Sequence, residues 1–106
     1  MKKGKIVLVP FPFTDLKGSK VRPAIILVNK DSDIILAFIS TQLKWTEKSD
    51  VLIEPTEING LKKSSIIRLS KIVTLHENLI LGEIGELDAK FHKNLNDNLR
   101  YLFKLK

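Results

Sequence analysis

The chain has 106 residues, 43% hydrophobic and 28% charged, which suits one domain with its own core and excludes wholesale disorder. No apolar stretch approaches the ~20 residues of a membrane-spanning helix. The lack of cysteine excludes disulfides, thiolate catalysis, zinc knuckles and iron–sulfur ligation. Eighteen Lys and Arg against twelve Asp and Glu leave a net charge of +6, which favours a polyanionic partner: nucleic acid, an acidic protein or an anionic membrane surface.

The basic start, Met1 to Lys5, precedes a short apolar stretch broken by Pro10 and Pro12. It lacks the apolar region and cleavage site of a signal peptide, so the expected location is cytoplasmic. Lys5 to Phe11 reads as a first strand, apolar on both faces. Pro10 and Pro12 remove two N–H groups from one lateral side, so that end should be an edge or leave the sheet. Asp15 to Lys20 reads as an exposed basic loop with Gly18 at its turn.

Arg22 to Val28 and Ile34 to Ser40 are continuous apolar runs, the pattern of central strands covered on both faces. Asn29 to Asp33 between them is a hairpin turn. Leu43 to Ser49 is polar apart from Trp45 and reads as a loop, followed by a short strand, Val51 to Ile53. Ser64 to Leu69 and Lys71 to Leu75 read as strand with a kink near Ser70. Leu79 to Ile84 reads equally as a strand or a short helical turn.

The last segment is a helix. Asp88 suits its N-cap, and Phe91, Leu95, Leu99, Leu102 and Phe103 recur on one face. Short strands first and one amphipathic helix last imply a mainly β (α+β) single domain over residues 1–106: a strongly curved antiparallel sheet or open barrel capped by the helix. A barrel this small, with two-sided apolar strands and little helix to cover them, is expected to form a homodimer.

Three places put polar groups where the pattern expects apolar ones. Arg22 opens the second strand, held extended by Pro23. It is either a surface arginine or a guanidinium that forks onto a phosphate. Ser40-Thr41-Gln42 ends the third strand with two hydroxyls and an amide, either plain polar punctuation or donors for phosphate or ribose oxygens. Arg68 interrupts Ile66, Ile67 and Leu69, so its charge must reach water, a carboxylate or a ligand. If the second and third strands pair as a hairpin, Arg22 and Ser40 become neighbours.

Trp45 either stacks on a base or plugs a gap under its loop. Loop lysines such as Lys17, Lys20 and Lys44 can form an electrostatic funnel for RNA, although solvated loops are lysine-rich anyway. His76 and His92 lie far apart with no ligand spacing, so no metal or cofactor is expected. No P-loop, dinucleotide fingerprint or Ser–His–acid order is present.

These segments together resemble the MazF/PemK toxins of bacterial type II toxin–antitoxin systems. The likeness lies in Lys3 to Asp15 (Lys-Gly-Lys-Ile-Val-Leu-Val-Pro-Phe-Pro-Phe-Thr-Asp), Gly18 to Ala24 with its Val-Arg-Pro, Ile39 to Gln42, and Gly60 to Leu69 with Lys71-Ile72. The resemblance implies an SH3-like barrel with a terminal helix, usually a homodimer. It implies a sequence-specific endoribonuclease that cuts single-stranded RNA, often mRNA, without a metal, and an acidic antitoxin that occupies the RNA groove. In such enzymes the ribose 2′-hydroxyl attacks the adjacent phosphorus, leaving a 2′,3′-cyclic phosphate and a 5′-hydroxyl.

Carried over residue by residue, the resemblance makes Arg22, Ser40 or Thr41, and Arg68 the catalytic positions. The basic loop, with Lys17, Ser19 and Lys20, would fold over RNA, and Gln42, Lys44 and Trp45 would add contacts. The chain departs from the family at Lys5 and Ser70, where acids are usual, so no general base is assigned. Two other readings stay open: a binding module for RNA or antitoxin with weakened catalysis, and a toxin that blocks a protein target such as a topoisomerase.

Overall fold

Alternation along the apolar runs decides the architecture. The computed structural model describes residues 2–11 and 20–106. Within them the strands are β1 (Lys5–Phe11), β2 (Lys20–Lys30), β3 (Asp33–Ser40), β4 (Val51–Ile53), β5 (Ser65–His76) and β6 (Gly82–Glu86), followed by one helix, α1 (His92–Phe103). They form one antiparallel sheet in the order β4-β5-β3-β2-β1-β6. The expected mainly β architecture, a curled half-barrel with a C-terminal helix, is what the chain adopts.

Each central strand feeds two cores. Ile25 and Leu27 of β2, Ala37 and Ile39 of β3, and Ile67 and Leu69 of β5 join Leu95 of α1 on one face. Ala24 and Ile26, then Ile34, Leu36 and Phe38, gather with Val7 and Val9 on the other. This explains why the second and third strands read as continuous apolar runs: along their middles, Ala24 to Leu27 and Leu36 to Ile39, both faces are covered. Fully burying each large aliphatic side chain contributes about 1.5–3 kcal/mol.

The kink expected near Ser70 is a bulge inside a continuous β5. Phe38 pairs with Arg68, but Ala37, its neighbour, pairs with Ile72. The ambiguous stretch after β5 contains both alternatives, a 3-10 turn (Glu77–Leu79) and then β6. Pairing of β1 with β6 ends at Leu8, so Pro10 lies past the end of that ladder, opposite Val21 of β2. Pro12 lies outside the described residues.

Two details of the last segment differ from expectation. Asp88 opens a 3-10 turn (Ala89–Phe91) ahead of α1, but its side chain makes no capping bond. The carboxylate instead accepts from Thr56 Oγ1 (3.0 Å) and Asn59 Nδ2 (3.2 Å). Phe103 is exposed rather than packed, whereas Leu95 is fully buried. The helix closes with Lys104 in the left-handed region, its N–H donating to the Tyr101 carbonyl and that of Leu105 to the Arg100 carbonyl. On the exposed side, Lys93 bonds to Asp97 at 2.6 Å and holds its carboxyl below the ordinary aspartate value, with Arg100 adding to the effect.

Buried Asn59 organises the segment between β4 and β5. Its amide donates to the Glu54 carbonyl (2.8 Å), and its Oδ1 accepts from the Thr56 and Leu61 N–H groups. Gly60 follows at φ +70°, where an added Cβ would sit 2.0 Å from the Ile84 carbonyl oxygen. Both the left-handed conformation and the contact with β6 therefore require glycine. Gly60→Ala is expected to lower stability by about 2 kcal/mol or more, read as a fall in denaturant midpoint; an unchanged midpoint would contradict this packing.

Candidate active site

The β2–β3 register brings the separate polar positions together. Ala24 pairs with Phe38, and the same register carried two residues further sets Arg22 across from Ser40. Both sit on the face of Ala24 and Phe38, because side chains two apart share a face. A cavity of about 350 Å³ opens there, lined by Arg22, Pro23, Phe38, Ile39, Ser40, Thr41, Gln42, Arg68 and Lys71. At ~30 Å³ per water, it has room for more than an isolated phosphate group.

The end of β3 turns its donors outward. Ser40 Oγ accepts the Gln42 N–H (3.0 Å), and Gln42 Oε1 accepts the Lys44 N–H (3.2 Å). Local turns of this type occupy the side-chain acceptors. The Ser40 O–H and the Gln42 NH2 are left to donate. Thr41, beside them, is exposed. With Arg22 and Lys71 also lining it, the cavity presents mainly donors and cations beside the apolar Phe38. That chemistry suits an anion with several oxygens.

Arg68 lines the cavity, but its guanidinium is engaged elsewhere. Nε and Nη2 grip both oxygens of Asp50 at 2.9 and 3.1 Å, a bidentate pair. Nη2 also donates to the Trp45 carbonyl at 2.6 Å, and Nη1 lies 3.3 Å from Glu47 Oε2. Of the destinations open to this charge (water, carboxylate or ligand), it has taken the carboxylate. The Val51↔Ile67 pair explains the meeting: one residue further, Asp50 of the loop stands opposite Arg68. Asp50 also accepts the Glu47 N–H (2.7 Å), Ser70 Oγ donates to Glu47 (3.2 Å), and Asn98 of α1 donates to the Ser49 and Asp50 carbonyls. The loop before β4 is thus clamped from β5 and from the helix.

The remaining positions lie apart from the cavity. Trp45 does not plug a gap: its side of the loop is open and the residue is 73% exposed, with Lys44 Nζ 5.8 Å from its ring centroid. Lys20 is exposed at the start of β2, and Lys17 and Ser19 lie outside the described residues. His76 accepts the Asn78 N–H, the ring of His92 packs by Gly4, and neither lines the cavity. Among the described residues no group of three or more His, Cys, Asp or Glu is placed to hold a metal.

Sequence reasoning missed Asp50, Glu47 and Lys71. Asp50 stands directly before β4, but only the β4–β5 pairing shows what it faces. Lys71 follows the Ser70 kink, and a charge next to an irregularity in an apolar strand was the available signal.

The family model for the PemK-like, MazF-like toxin of type II toxin–antitoxin systems matches residues 2–103. The chain belongs to this family. Among solved structures it is similar to the Mycobacterium tuberculosis toxin MazF-mt6, at 20% identity and a TM-score of 0.80, covering 96% of this chain and 98% of that one. It is also similar to a mycobacterial endoribonuclease in complex with its cognate antitoxin (18% identity, TM-score 0.76, covering 98% and 95%). A second mycobacterial endoribonuclease structure gives 18% identity and a TM-score of 0.73, covering 97% and 90%. No curated protein matches the sequence. At these identities the structural likeness carries the fold, and membership carries the toxin family. Among the described residues no helix is long and apolar enough to cross a membrane.

The clamp leads to a stability prediction. The Asp50 side chain is 5% exposed and that of Arg68 19%. Removing one partner of such a pair leaves the other charge poorly solvated. Asp50→Ala is expected to cost on the order of 3 kcal/mol in denaturant unfolding. A loss below about 0.5 kcal/mol, the usual effect of a plain surface change, would show that the pair does not hold the loop.

Proposed function

We propose that this chain is an endoribonuclease toxin that cleaves single-stranded RNA at the cavity between β2 and β3. The observation that carries the reading is the convergence of Arg22, the Ser40 and Thr41 hydroxyls and the Gln42 amide on one donor-rich cavity. Family membership and the endoribonucleases of the same fold support it.

The proposed reaction needs alignment and charge stabilisation. The ribose 2′-oxygen attacks the adjacent phosphorus and gives up its proton, while the P–O5′ bond breaks. The departing 5′-oxygen takes a proton and becomes a hydroxyl, and the phosphate is left as a 2′,3′-cyclic diester. Charge builds on the nonbridging oxygens at the transition state, where fixed donors are most effective. Arg22 supplies a permanent cation with paired N–H groups. Ser40 and Thr41 orient the phosphate, and Gln42 extends the donor row. Arg68 contributes from the rim by holding the loop that carries Lys44 and Trp45, whose exposed ring offers a stacking face for a base. Lys20, exposed at the start of β2, adds a basic contact for the flanking backbone.

A second reading has its own support. Among the described residues, none lining the cavity carries a carboxylate or an imidazole, so none of these is an obvious base for the 2′-hydroxyl. This favours a module that holds RNA, or an acidic antitoxin, with little cleavage. A small acidic antitoxin seated over the cavity would compete with RNA for the same donors under either reading.

One assay separates the alternatives. Purified protein incubated with an RNA ladder in chelator is expected to cut it to products ending in cyclic phosphate. Arg22→Ala is expected to slow cutting by about 10²–10³. Tight RNA binding without products would favour the second reading; neither binding nor cutting would remove RNA from the account. The same preparation is proposed to be a homodimer, with light scattering giving twice the 12.1 kDa chain mass. A monomeric mass at micromolar concentration would remove the dimer.

A further inference from the structure

We infer that Lys71 is the second phosphate-contacting cation of this cavity, aimed into it by the β5 bulge, and that Arg68 is a positioning residue. The inference rests on the RNA-cleaving reading for its ligand, but its geometry is independent of that reading.

The bulge changes which residues of β5 face the cavity. Before it, Ile67 and Leu69 pack into the helix-side core and Arg68 points the other way. Strict alternation would keep residues 70 and 72 on the side of Arg68 and send Lys71 to the helix side. Instead Ile72 packs against the helix-side core, while Val73 and Leu75 pack against the opposite one. The residues between Arg68 and Ile72 have shifted parity, because Phe38 and Ala37 are adjacent in β3 yet pair with positions four apart in β5. Arg68 and Lys71 therefore line the same cavity although they are three positions apart, an offset that strict alternation would place on opposite faces. Bulges re-aim side chains in this way at the rims of sheets.

The two cations differ in what already holds them. Arg68 is gripped by Asp50, Glu47 and the Trp45 carbonyl. Lys71 is exposed, and no acceptor among the described residues takes its ammonium. A lysine ammonium is a compact charge on a flexible stem, able to follow a phosphate that Arg22 fixes by its planar fork. An incoming phosphodiester would thus meet Arg22 on β2 and Lys71 on β5, with the β3 hydroxyls between them. Recruiting Arg68 would mean first breaking its pair with Asp50.

The test measures how binding of a single-stranded RNA depends on salt, using an oligonucleotide 2′-O-methylated throughout so that no nucleophile is present. For single strands the slope of log K against log salt is about −0.7 per phosphate neutralised. Lys71→Ala is expected to reduce the slope by about 0.7, Lys71→Arg to restore it, and Lys63→Ala, at an exposed lysine outside the cavity, to leave it unchanged. All three should keep the wild-type melting temperature, since each site is exposed. If the wild type binds and Lys71→Ala keeps the full slope, the Lys71 assignment is overturned while the RNA reading stands. If Lys71→Ala and Lys63→Ala reduce the slope equally, the contact is diffuse charge and the assignment again fails. If the wild type does not bind the oligonucleotide, the RNA reading fails and takes this assignment with it.

Discussion

The register of β3 between its two neighbours is the constraint on which the site depends. Phe38 lies opposite Ala24 on one side and Arg68 on the other, so a single strand aligns residues from both flanking elements. A slip of one residue would exchange the faces of every side chain on β3. Leu36 and Phe38 would move into the helix-side core, and Ser40 would leave the cavity. That slip is opposed by two apolar cores, one on each face, because neither tolerates exchange of its residues. The packing that makes the sheet stable therefore also holds Arg22, Ser40 and the bulged part of β5 at one end of it.

The cavity's electrostatics follow from how its charges are paired. Three cations come to its walls, Arg22, Arg68 and Lys71. Two carboxylates, Asp50 and Glu47, meet the one on β5 that lies deepest in an apolar strand. A guanidinium flanked by Ile67 and Leu69 has little access to water, and a bidentate carboxylate stabilises it there. The more exposed cations keep contact with solvent. The arrangement separates a half-buried, carboxylate-paired charge from cations at the exposed end of the cavity, although residue type alone makes Arg22 and Arg68 look equivalent.

Most of the strands were legible because alternation and length are local properties. β1 and β4 lie where the apolar runs place them, and the two-sided runs of β2 and β3 gave away their central position. That Arg22 and Ser40 are neighbours was legible from the hairpin between β2 and β3, but their alignment was not, because the register set by Lys30 and Asp33 shifts by one residue between Ile26 and Val28. Asp50 was hidden because its partner lies across a pairing between β4 and β5 that no short turn announces. Lys71 was hidden because a bulge breaks the alternation on which facing is judged; the kink near Ser70 was visible, but its effect on facing was not. Asp88 misled for a different reason. An aspartate before a helix reads as a cap, and here a buried asparagine and a threonine from a distant loop compete for the same carboxylate and hold it.

The acceptors matter as much as the donors. Ser40 and Gln42 would each offer an oxygen to the cavity if their side chains were unconstrained, and an oxygen facing phosphate is repulsive. Each instead accepts a backbone N–H two residues ahead. The turn after β3 thus engages one lone pair of each oxygen with a backbone donor and constrains both side chains without any additional residue. Glu47 and Asp50 act similarly at larger scale: paired with Arg68, they limit the positive field at the rim. A cavity with three open cations would bind many anions in the ground state. Binding ground and transition states equally does not accelerate the chemical step. With Arg68 held by Asp50 and Glu47, Arg22 and Lys71 are the cations that flank the hydroxyls, on the strands either side of β3. That is the geometry in which added negative charge on a phosphate between them is met from both sides.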